Sequence, residues 1–178
     1  MVALPPEYVV RTARAGDLNA LPAIELAAAT SFAGYLRETG LTPAALEDVT
    51  SLADLEHAMN AGRLWVATQA NHPVGFAQVE VVAGYAHLEE IDVHPAHARQ
   101  GLGRALIETV CAWASARRFP AVTLTTFRDV PWNAPYYERL GFITIDPAML
   151  SVEHAAIVRD EQSRGFDPAR RVTMMRRT

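Results

Sequence analysis

The feature that most constrains this chain is the join at residues 93–106, where an apolar run ends and an amphipathic helix pattern begins. The join is polar, contains Pro95, and brings Gly101 and Gly103 to the start of the helix. The first turn of a helix has backbone N–H groups without intrahelical partners, and the helix dipole adds partial positive charge there. Glycines let an anionic group approach the backbone closely. The segment therefore predicts a main-chain cradle for a pyrophosphate around residues 98–103.

Two well-known phosphate-binding loops fit this join less well. A P-loop needs Gly, four residues and then Gly-Lys-Ser/Thr, and the chain has no such pattern. A dinucleotide-binding fingerprint needs a small residue where Leu106 stands, and an acid at the end of the next strand, whereas Asp129 lies beyond Phe127. The short connections between the preceding strands also predict antiparallel pairing. A Rossmann-like nucleotide enzyme remains a weaker alternative.

Hydrophobic periodicity and turn residues predict the order of elements along the chain. Strands are predicted over residues 8–14, 63–69, 74–84, 86–93, 121–127, 142–145 and 171–176, with a turn at 71–73. Helices are predicted over residues 18–31, 51–60, 101–118 and 133–140, a loop with a short helix over 32–50, and a helix or ordered excursion over 152–163. This order indicates one α+β domain spanning residues 1–178, with a mixed sheet and a βαβ unit in its middle.

Charge and apolar patterning exclude several classes of function. The formal net charge is −4 and the basic residues form no stripe, which excludes nucleic-acid binding. No apolar run is long enough for a membrane span, and residues 1–8 lack a signal-peptide pattern, so a cytoplasmic location is expected. Cys111 is the single cysteine and lies among apolar helix positions, so we expect an inert thiol and no internal disulfide. His94 and His97 lack a clustered third ligand, so no metal site is predicted.

A second motif lies downstream of the join, beyond one predicted strand. Asn133 opens it, and Tyr137 stands four residues before Gly141, which Phe142 follows. The two motifs together resemble those of the GNAT N-acetyltransferase superfamily, and the resemblance covers most of the chain. It implies a mixed, mostly antiparallel sheet of six to seven strands flanked by helices, with a splayed central βαβ unit. The chain departs from the family at Ala98, where members usually carry Gln or Arg.

The resemblance implies that acetyl-CoA is the co-substrate and indicates which residues hold it. A bulge at Val93 would part the central strand from the next one, admit the pantetheine arm, and leave the Val93 N–H to stabilise the oxyanion. Arg99, Gln100 or Arg104 would supply the phosphate contact that Ala98 cannot. The expected cofactor-binding residues are Ile91, Val93, Arg99, Gln100, Gly101, Leu102, Gly103, Arg104, Asn133 and Tyr136.

Transfer to an amine needs a base, because most amines are protonated at neutral pH. The candidates on the central strand are His87, Glu89, Glu90 and Asp92. Alternation places His87 and Glu89 on the face of Val93 and the other two on the opposite face, unless a bulge reverses the end of the strand. The positions four and six before Val93 resemble those that carry the base in several family members. Glu89 is therefore the favoured base and His87 the second, with a water relay left open.

The remaining roles follow from the same resemblance. Tyr137 would give a proton to the departing CoA thiolate, since a phenol is a suitable acid for that group. Residues 32–50 and 152–166 would line the pocket for a small-molecule primary amine; the acids there that could attract a cation are Glu38, Glu47 and Asp48. A non-catalytic acyl-CoA sensor and a protein N-terminal or lysine acetyltransferase stay open as alternatives. Many relatives form homodimers, so a homodimer is allowed as well.

Overall fold

The computed structural model describes residues 4–178, with all side chains except those of residues 43–44. Residues 1–3, part of the segment assessed above for a signal peptide, lie outside the described residues. The strands are β1 (Tyr8–Thr12), β2 (Leu64–Gln69), β3 (His72–Val82), β4 (Tyr85–Val93), β5 (Ala121–Phe127), β6 (Ile143–Thr144) and β7 (Arg171–Arg177). These seven strands form one sheet in the order β1-β2-β3-β4-β5-β7-β6. Only the β4–β5 pair is parallel among them, so the predicted mostly antiparallel α+β fold is confirmed.

Helices surround the sheet. The α-helices are α1 (Leu21–Ala29), α2 (Leu36–Thr39), α3 (Leu52–Asn60), α4 (Leu102–Ala116), α5 (Ala134–Arg139) and α6 (Val152–Ser163). The single helix predicted over residues 18–31 is wrong at both ends, because 3-10 turns at Ala15–Ala20 and Thr30–Tyr35 flank α1. The first turn of α1 tolerates Pro22, because the N–H that proline lacks would have no intrahelical partner there. Among residues 4–178, no helix is both long and apolar enough to cross a membrane.

Two tight hairpins build the β2–β3–β4 meander. Ala70 and Asn71 have φ values of 47° and 67°, and Ala83 and Gly84 have values of 50° and 79°. Positive φ at both central residues defines the turn type whose twist suits a two-residue hairpin. The turn predicted at residues 71–73 is therefore one residue earlier, and the residues that follow Asn71 already pair with β2.

Both faces of the sheet are covered. On one face, Leu106 of α4 and Leu88 of β4 belong to the same apolar cluster. On the other face, Leu21 of α1 and Leu55 of α3 cluster with Phe76 of β3. Fully burying such a side chain contributes about 1.5–3 kcal/mol, so these two clusters hold α1, α3 and α4 against the sheet. The strand β4 lies between them, fourth of the seven.

The pairing of β4 with β5 covers only the beginning of each strand. Residues 86–88 pair with residues 122–124, after which the two strands part. The strand β4 goes on to Val93, whereas β5 goes on to Phe127 while pairing with β7 along its whole length. The helix α4 makes the crossover between the two parallel strands, so the predicted splayed βαβ unit is confirmed.

A β-bulge lies near the point where the strands part. The register of β3 against β4 shifts between Gln78 and Val79, which leaves Glu89 as an extra residue on β4. The bulge predicted at Val93 is wrong, since Val93 pairs with Gly75 with no shift beside it. A bulge of this kind requires no particular residue type, so the apolar pattern could not locate it.

The extra residue reverses the alternation of β4. On the face toward α4 lie Leu88, Ile91 and Val93. On the opposite face lie His87, Glu90 and Asp92. The prediction that His87 shares a face with Val93 is therefore wrong, because the strand gains one residue at Glu89 between them.

Candidate active site

A cavity of about 990 Å³ opens where β4 and β5 part. Its walls come from the end of β4, the first turn of α4, the start of α5, the 30–48 segment and the C-terminal part of α6. The predicted site residues that line it are Glu89, Ile91, Val93, Arg99, Gly101, Leu102, Gly103, Asn133, Tyr136 and Tyr137. Three predicted site residues lie outside the lining: His87, Gln100 and Arg104.

The first turn of α4 presents backbone amides to this cavity. Gly101 is the N-cap residue with φ of 82°, a left-handed conformation that glycine adopts without strain. Arg99 also has a positive φ, 62°, so the chain turns sharply into the helix. The first turn carries no acidic side chain, which leaves the partial positive charge of the helix end uncompensated. Leu102 is buried in the core, so only its amide can serve a ligand.

The end of β4 turns two backbone amides toward the gap left by β5. His94 N donates to Val74 O of β3 at 2.8 Å, and the amides of a strand alternate between its two edges. The amides of Ile91 and Val93 therefore point away from β3, to the edge that β5 has left. Glu90 Oε1 accepts from the Ile91 amide at 3.1 Å.

The helix α5 brings an amide and two phenols to the cavity. Asn133 is its N-cap, yet its side chain makes no capping hydrogen bond. Tyr137 is buried, with its ring edge-on to Phe142 at 5.6 Å between centroids. Burial first, and the charges of nearby carboxylates second, raise the pKa of Tyr137 well above its usual value. Its hydroxyl therefore stays protonated at neutral pH.

A cluster that we call the carboxylate trio lies at the cavity wall and consists of Glu25, Glu90 and Asp92. One carboxylate oxygen from each lies within 4.8 Å of the others. Burial, with the neighbouring charge of Glu25, raises the pKa of Glu90 to about 7, and burial with Glu90 raises that of Asp92 well above its usual value. Like charges this close cannot all ionise cheaply, so the trio holds protons near neutral pH. Sequence reasoning missed Glu25, whose only signal was a lone carboxylate in the apolar helix α1.

The favoured base, Glu89, lies at the bulge and lines the cavity with 40% of its side chain exposed. Burial raises the pKa of its carboxyl group. His87 is buried behind it, with Nε2 3.9 Å from Glu89 Oε2 and Nδ1 2.9 Å from Thr123 Oγ1. Burial lowers the pKa of His87 to about 3, so its ring is neutral at neutral pH. His87 can therefore meet the contents of the cavity only through Glu89.

Aromatic rings form the wall of the cavity away from the α4 helix end. Phe32 lies 5.5 Å from Phe127, and Tyr35 lies 4.6 Å from Trp132, between ring centroids. Arg171 stacks its guanidinium 4.8 Å above Phe127 and pairs with a carboxylate of α6. Both segments predicted to form the acceptor pocket thus contribute to the lining. Of the three predicted acids in the 32–50 segment, the lining includes Asp48.

Comparison with known families defines the class of this fold and site. The model of the acetyltransferase (GNAT) family matches residues 32–142, more than half of the chain. The chain therefore belongs to the GNAT acetyltransferase family, and the predicted family and enzyme class are confirmed.

Solved structures share the fold over nearly the whole chain. PaiA N-acetyltransferase from Thermoplasma acidophilum, in complex with coenzyme A, has 13% identity and a TM-score of 0.69, covering 96% of this chain and 99% of that one. N-acetylglutamate synthase from Neisseria gonorrhoeae, with coenzyme A and N-acetylglutamate, has 16% identity and a TM-score of 0.69, covering 96% and 35%. The ribosomal-protein-S18-alanine N-acetyltransferase from Escherichia coli has 21% identity and a TM-score of 0.61, covering 96% and 93%.

Proposed function

We propose that this protein transfers the acetyl group of acetyl-CoA directly to a primary amine of a small molecule. Two features that meet in one cavity carry the proposal: β4 and β5 part beyond Leu88, and the first turn of α4 beside them has no acidic side chain. A slot between strands suits an extended thioester arm, and a helix N-terminus suits a pyrophosphate. Coenzyme A in two of the similar structures supports the same ligand here.

In this proposal, the amides of Gly101, Leu102 and Gly103 receive the pyrophosphate. Arg99 adds a positive charge at the same end, and Gln100 and Arg104 are near enough in sequence to reach a ligand that extends out of the cavity. The amides of Ile91 and Val93 pair with the pantetheine arm. Asn133 and Tyr136 contact the arm from the α5 side; a Cβ on Gly103 would lie 3.8 Å from Tyr136 Oη.

Three groups carry the proposed chemistry. Glu89 removes a proton from the ammonium group of the acceptor, and its raised pKa makes it a stronger base than an ordinary glutamate. The Val93 N–H donates to the thioester oxygen as negative charge develops there, while the amine nitrogen bonds to the carbonyl carbon. Tyr137 gives its hydroxyl proton to the sulfur as the carbon–sulfur bond breaks, and the second proton that the attacking nitrogen must lose restores the Tyr137 hydroxyl. The other carboxylates of β4, Glu90 and Asp92, bind the acceptor in this proposal.

The carboxylate trio and the aromatic wall favour a cationic, partly apolar acceptor. Glu90 and Asp92 are partly buried acids that can share their protons, and a bound ammonium group would favour their charged forms. Rings such as Phe32 and Tyr35 provide apolar contact area for the rest of the acceptor, and the faces of such rings attract cations. We propose a small aliphatic or aromatic amine as the acceptor class.

Thiol release from acetyl-CoA over a panel of primary amines tests this function. The panel should contain monoamines, diamines, amino acids and short peptides with free N-termini, and calorimetry should measure CoA binding by the same preparation. Release with small amines and not with peptides is the expected result. Binding of CoA without release in any arm would favour a sensor, release with peptides alone would favour a protein acetyltransferase, and no binding of CoA would overturn the proposal.

A further inference from the structure

A continuous row of buried polar side chains begins behind Glu89 and ends at the N-terminus of α6. His87 Nδ1 lies 2.9 Å from Thr123 Oγ1, and Thr123 Oγ1 lies 3.1 Å from His154 Nε2. His154 Nδ1 lies 2.9 Å from Ser151 Oγ. The inner end, His87 Nε2, is 3.9 Å from Glu89 Oε2. The row thus crosses from the cavity, through adjacent positions of β4 and β5, to the helix α6 outside the sheet.

The members of the row differ in their contact with solvent. His87 and Thr123 are each 1% exposed and His154 is 4% exposed, whereas Ser151 is only partly buried. The two ends therefore face different compartments: Glu89 faces the cavity and Ser151 faces bulk water. The buried members between these two ends need no contact with either the cavity or bulk water.

We infer that this row is a proton relay that carries the proton taken by Glu89 from the acceptor amine out to solvent at Ser151. The inference rests on the proposed function, which makes Glu89 the base. It assigns Thr123, His154 and Ser151 to the reaction as positioning residues, since they act through His87 and never touch the substrate.

The row has two complete hydrogen-bonded arrangements, which differ by the displacement of one proton at each bond. Each neutral imidazole has one N–H and one lone pair, and each hydroxyl can both donate and accept. In the outward arrangement, His87 Nδ1–H donates to Thr123, the Thr123 hydroxyl donates to His154 Nε2, and His154 Nδ1–H donates to Ser151. In the inward arrangement all three bonds reverse, and His87 Nε2 carries a proton toward Glu89.

Transfer along the row conserves every atom and charge. The Glu89 carboxyl proton passes to His87 Nε2 across a gap that a side-chain rotation or one water can close. The His87 Nδ1 proton then bonds to Thr123 Oγ1, the original Thr123 proton bonds to His154 Nε2, and the His154 Nδ1 proton bonds to Ser151. The Ser151 hydroxyl proton leaves to water. Glu89 is then an anion again, and the row stands in its inward arrangement. Its hydroxyls and rings must turn back to the outward arrangement before the next transfer, because His87 Nε2 has no free lone pair until then.

The electrostatics of the row agree with transient rather than stored charge. Burial lowers the pKa of both His87 and His154, so neither ring is protonated in the resting enzyme at neutral pH. Arg171, whose charge also lowers the pKa of His87, pairs with Glu161 at 2.6 Å on the cavity side. The neutral rings keep one lone pair each, which is what two-way exchange of protons requires.

The variant Thr123→Val tests the relay, because it keeps the shape of the side chain and removes the hydroxyl that joins the two histidines. Its matched control is Thr68→Val, which changes another buried strand threonine, on β2. The Thr68 hydroxyl donates to Val9 O of β1 at 3.3 Å. We expect kcat of Thr123→Val to fall about tenfold, with KM for acetyl-CoA unchanged. The solvent deuterium effect on kcat should change in Thr123→Val and not in Thr68→Val.

Rescue by small bases separates a relay from a structural role. Because Glu89 is 40% exposed to the cavity, imidazole in the buffer can take its proton directly and should restore the kcat of Thr123→Val. His154→Ala, assayed in the same way below its unfolding temperature, is a second variant should Thr123→Val fold poorly. A wild-type kcat in both variants, or a loss that imidazole leaves unchanged in both, would overturn the relay.

The variant Glu89→Gln tells the two ideas apart. If Glu89→Gln is impaired while Thr123→Val and His154→Ala retain the wild-type kcat, the relay is wrong and the proposed base stands. If Glu89→Gln retains full activity, the base has been misassigned and the relay has no proton source, so both ideas fail.

Discussion

The two ends of the cavity are built in different ways. The end that faces α4 offers backbone amides from one short segment, residues 98–103, in which Gly101 takes the positive φ that the turn requires. The opposite end uses side chains that come from distant parts of the chain, such as Glu25 of α1, Asp92 of β4 and Phe166 beyond α6. In the proposed function, the main-chain end receives the coenzyme and the side-chain end receives the acceptor amine.

In the proposed function, this contrast accounts for Ala98 at the position where the resemblance leads us to expect Gln or Arg. The amides of the α4 first turn are fixed by the helix itself, so a side chain contributes little to their direction. The acceptor end has no such tolerance. Each of its groups is placed by packing, and we expect removal of one member of the carboxylate trio to change the protonation of the others, because their charges raise one another's pKa.

The largest expected effect is at the reacting centre. Glu89→Gln should lower kcat by roughly 10²- to 10⁴-fold, because the amide cannot accept the amine proton, and it should leave CoA affinity unchanged. Steady-state thiol release and calorimetry on the same variant measure the two quantities. The comparison variant, Glu90→Gln, should act mainly on KM for the acceptor. A larger loss of kcat in Glu90→Gln than in Glu89→Gln would transfer the role of base to Glu90.

The cofactor end should respond to backbone strain. Gly101→Val places a branched residue at φ of 82°, which costs about 1–2 kcal/mol, and should weaken CoA binding about tenfold. The matched control is Gly84→Val, at φ of 79° in the β3–β4 hairpin, with open space around its added Cβ. Both variants should lose similar stability in thermal unfolding. Equal CoA affinity in the two variants would contradict a main-chain cradle.

The acceptor end should make stability depend on pH. The pKa of Glu90 is raised to about 7 in the folded protein, so the folded state binds more protons than the unfolded state above the ordinary glutamate value. Stability should therefore fall as pH rises through that window up to about 7. Glu90→Gln should remove a loss on the order of 1 kcal/mol, or about 2–4 °C in Tm. Glu56→Gln, at an exposed site on α3, should keep the wild-type slope; identical slopes in all three proteins would contradict the buried trio.

The smallest expected effect restores the usual family residue. Ala98→Gln should change CoA affinity by less than about fivefold, because an exposed side chain adds at most a weak contact to the amides already present. Calorimetry with CoA measures the change. A much larger gain would mean that side chains, rather than the backbone of α4, dominate this end of the cavity.

Sequence alone predicted the parts of the protein that depend on neighbours along the chain. The strand at residues 121–127 matches β5 in both ends, and the helix capped by Ser51 begins at Leu52 as expected. Gly101 and Gly103 predicted a helix start with free amides, and the structure has one at Leu102. Periodicity, capping and positive φ act over a few residues, so they leave a pattern in the sequence.

Only the tertiary structure decided the chemistry on the sheet. One extra residue at Glu89 reversed the end of β4 and turned Glu90 and Asp92 toward Glu25, sixty-five residues away from Glu90 along the chain. The same packing buried His87 and joined it through Thr123 to α6. A bulge requires no distinctive residue, and a contact between distant elements leaves no local sequence pattern. Burial and proximity set the pKa values of these groups, and both exist only in the folded chain.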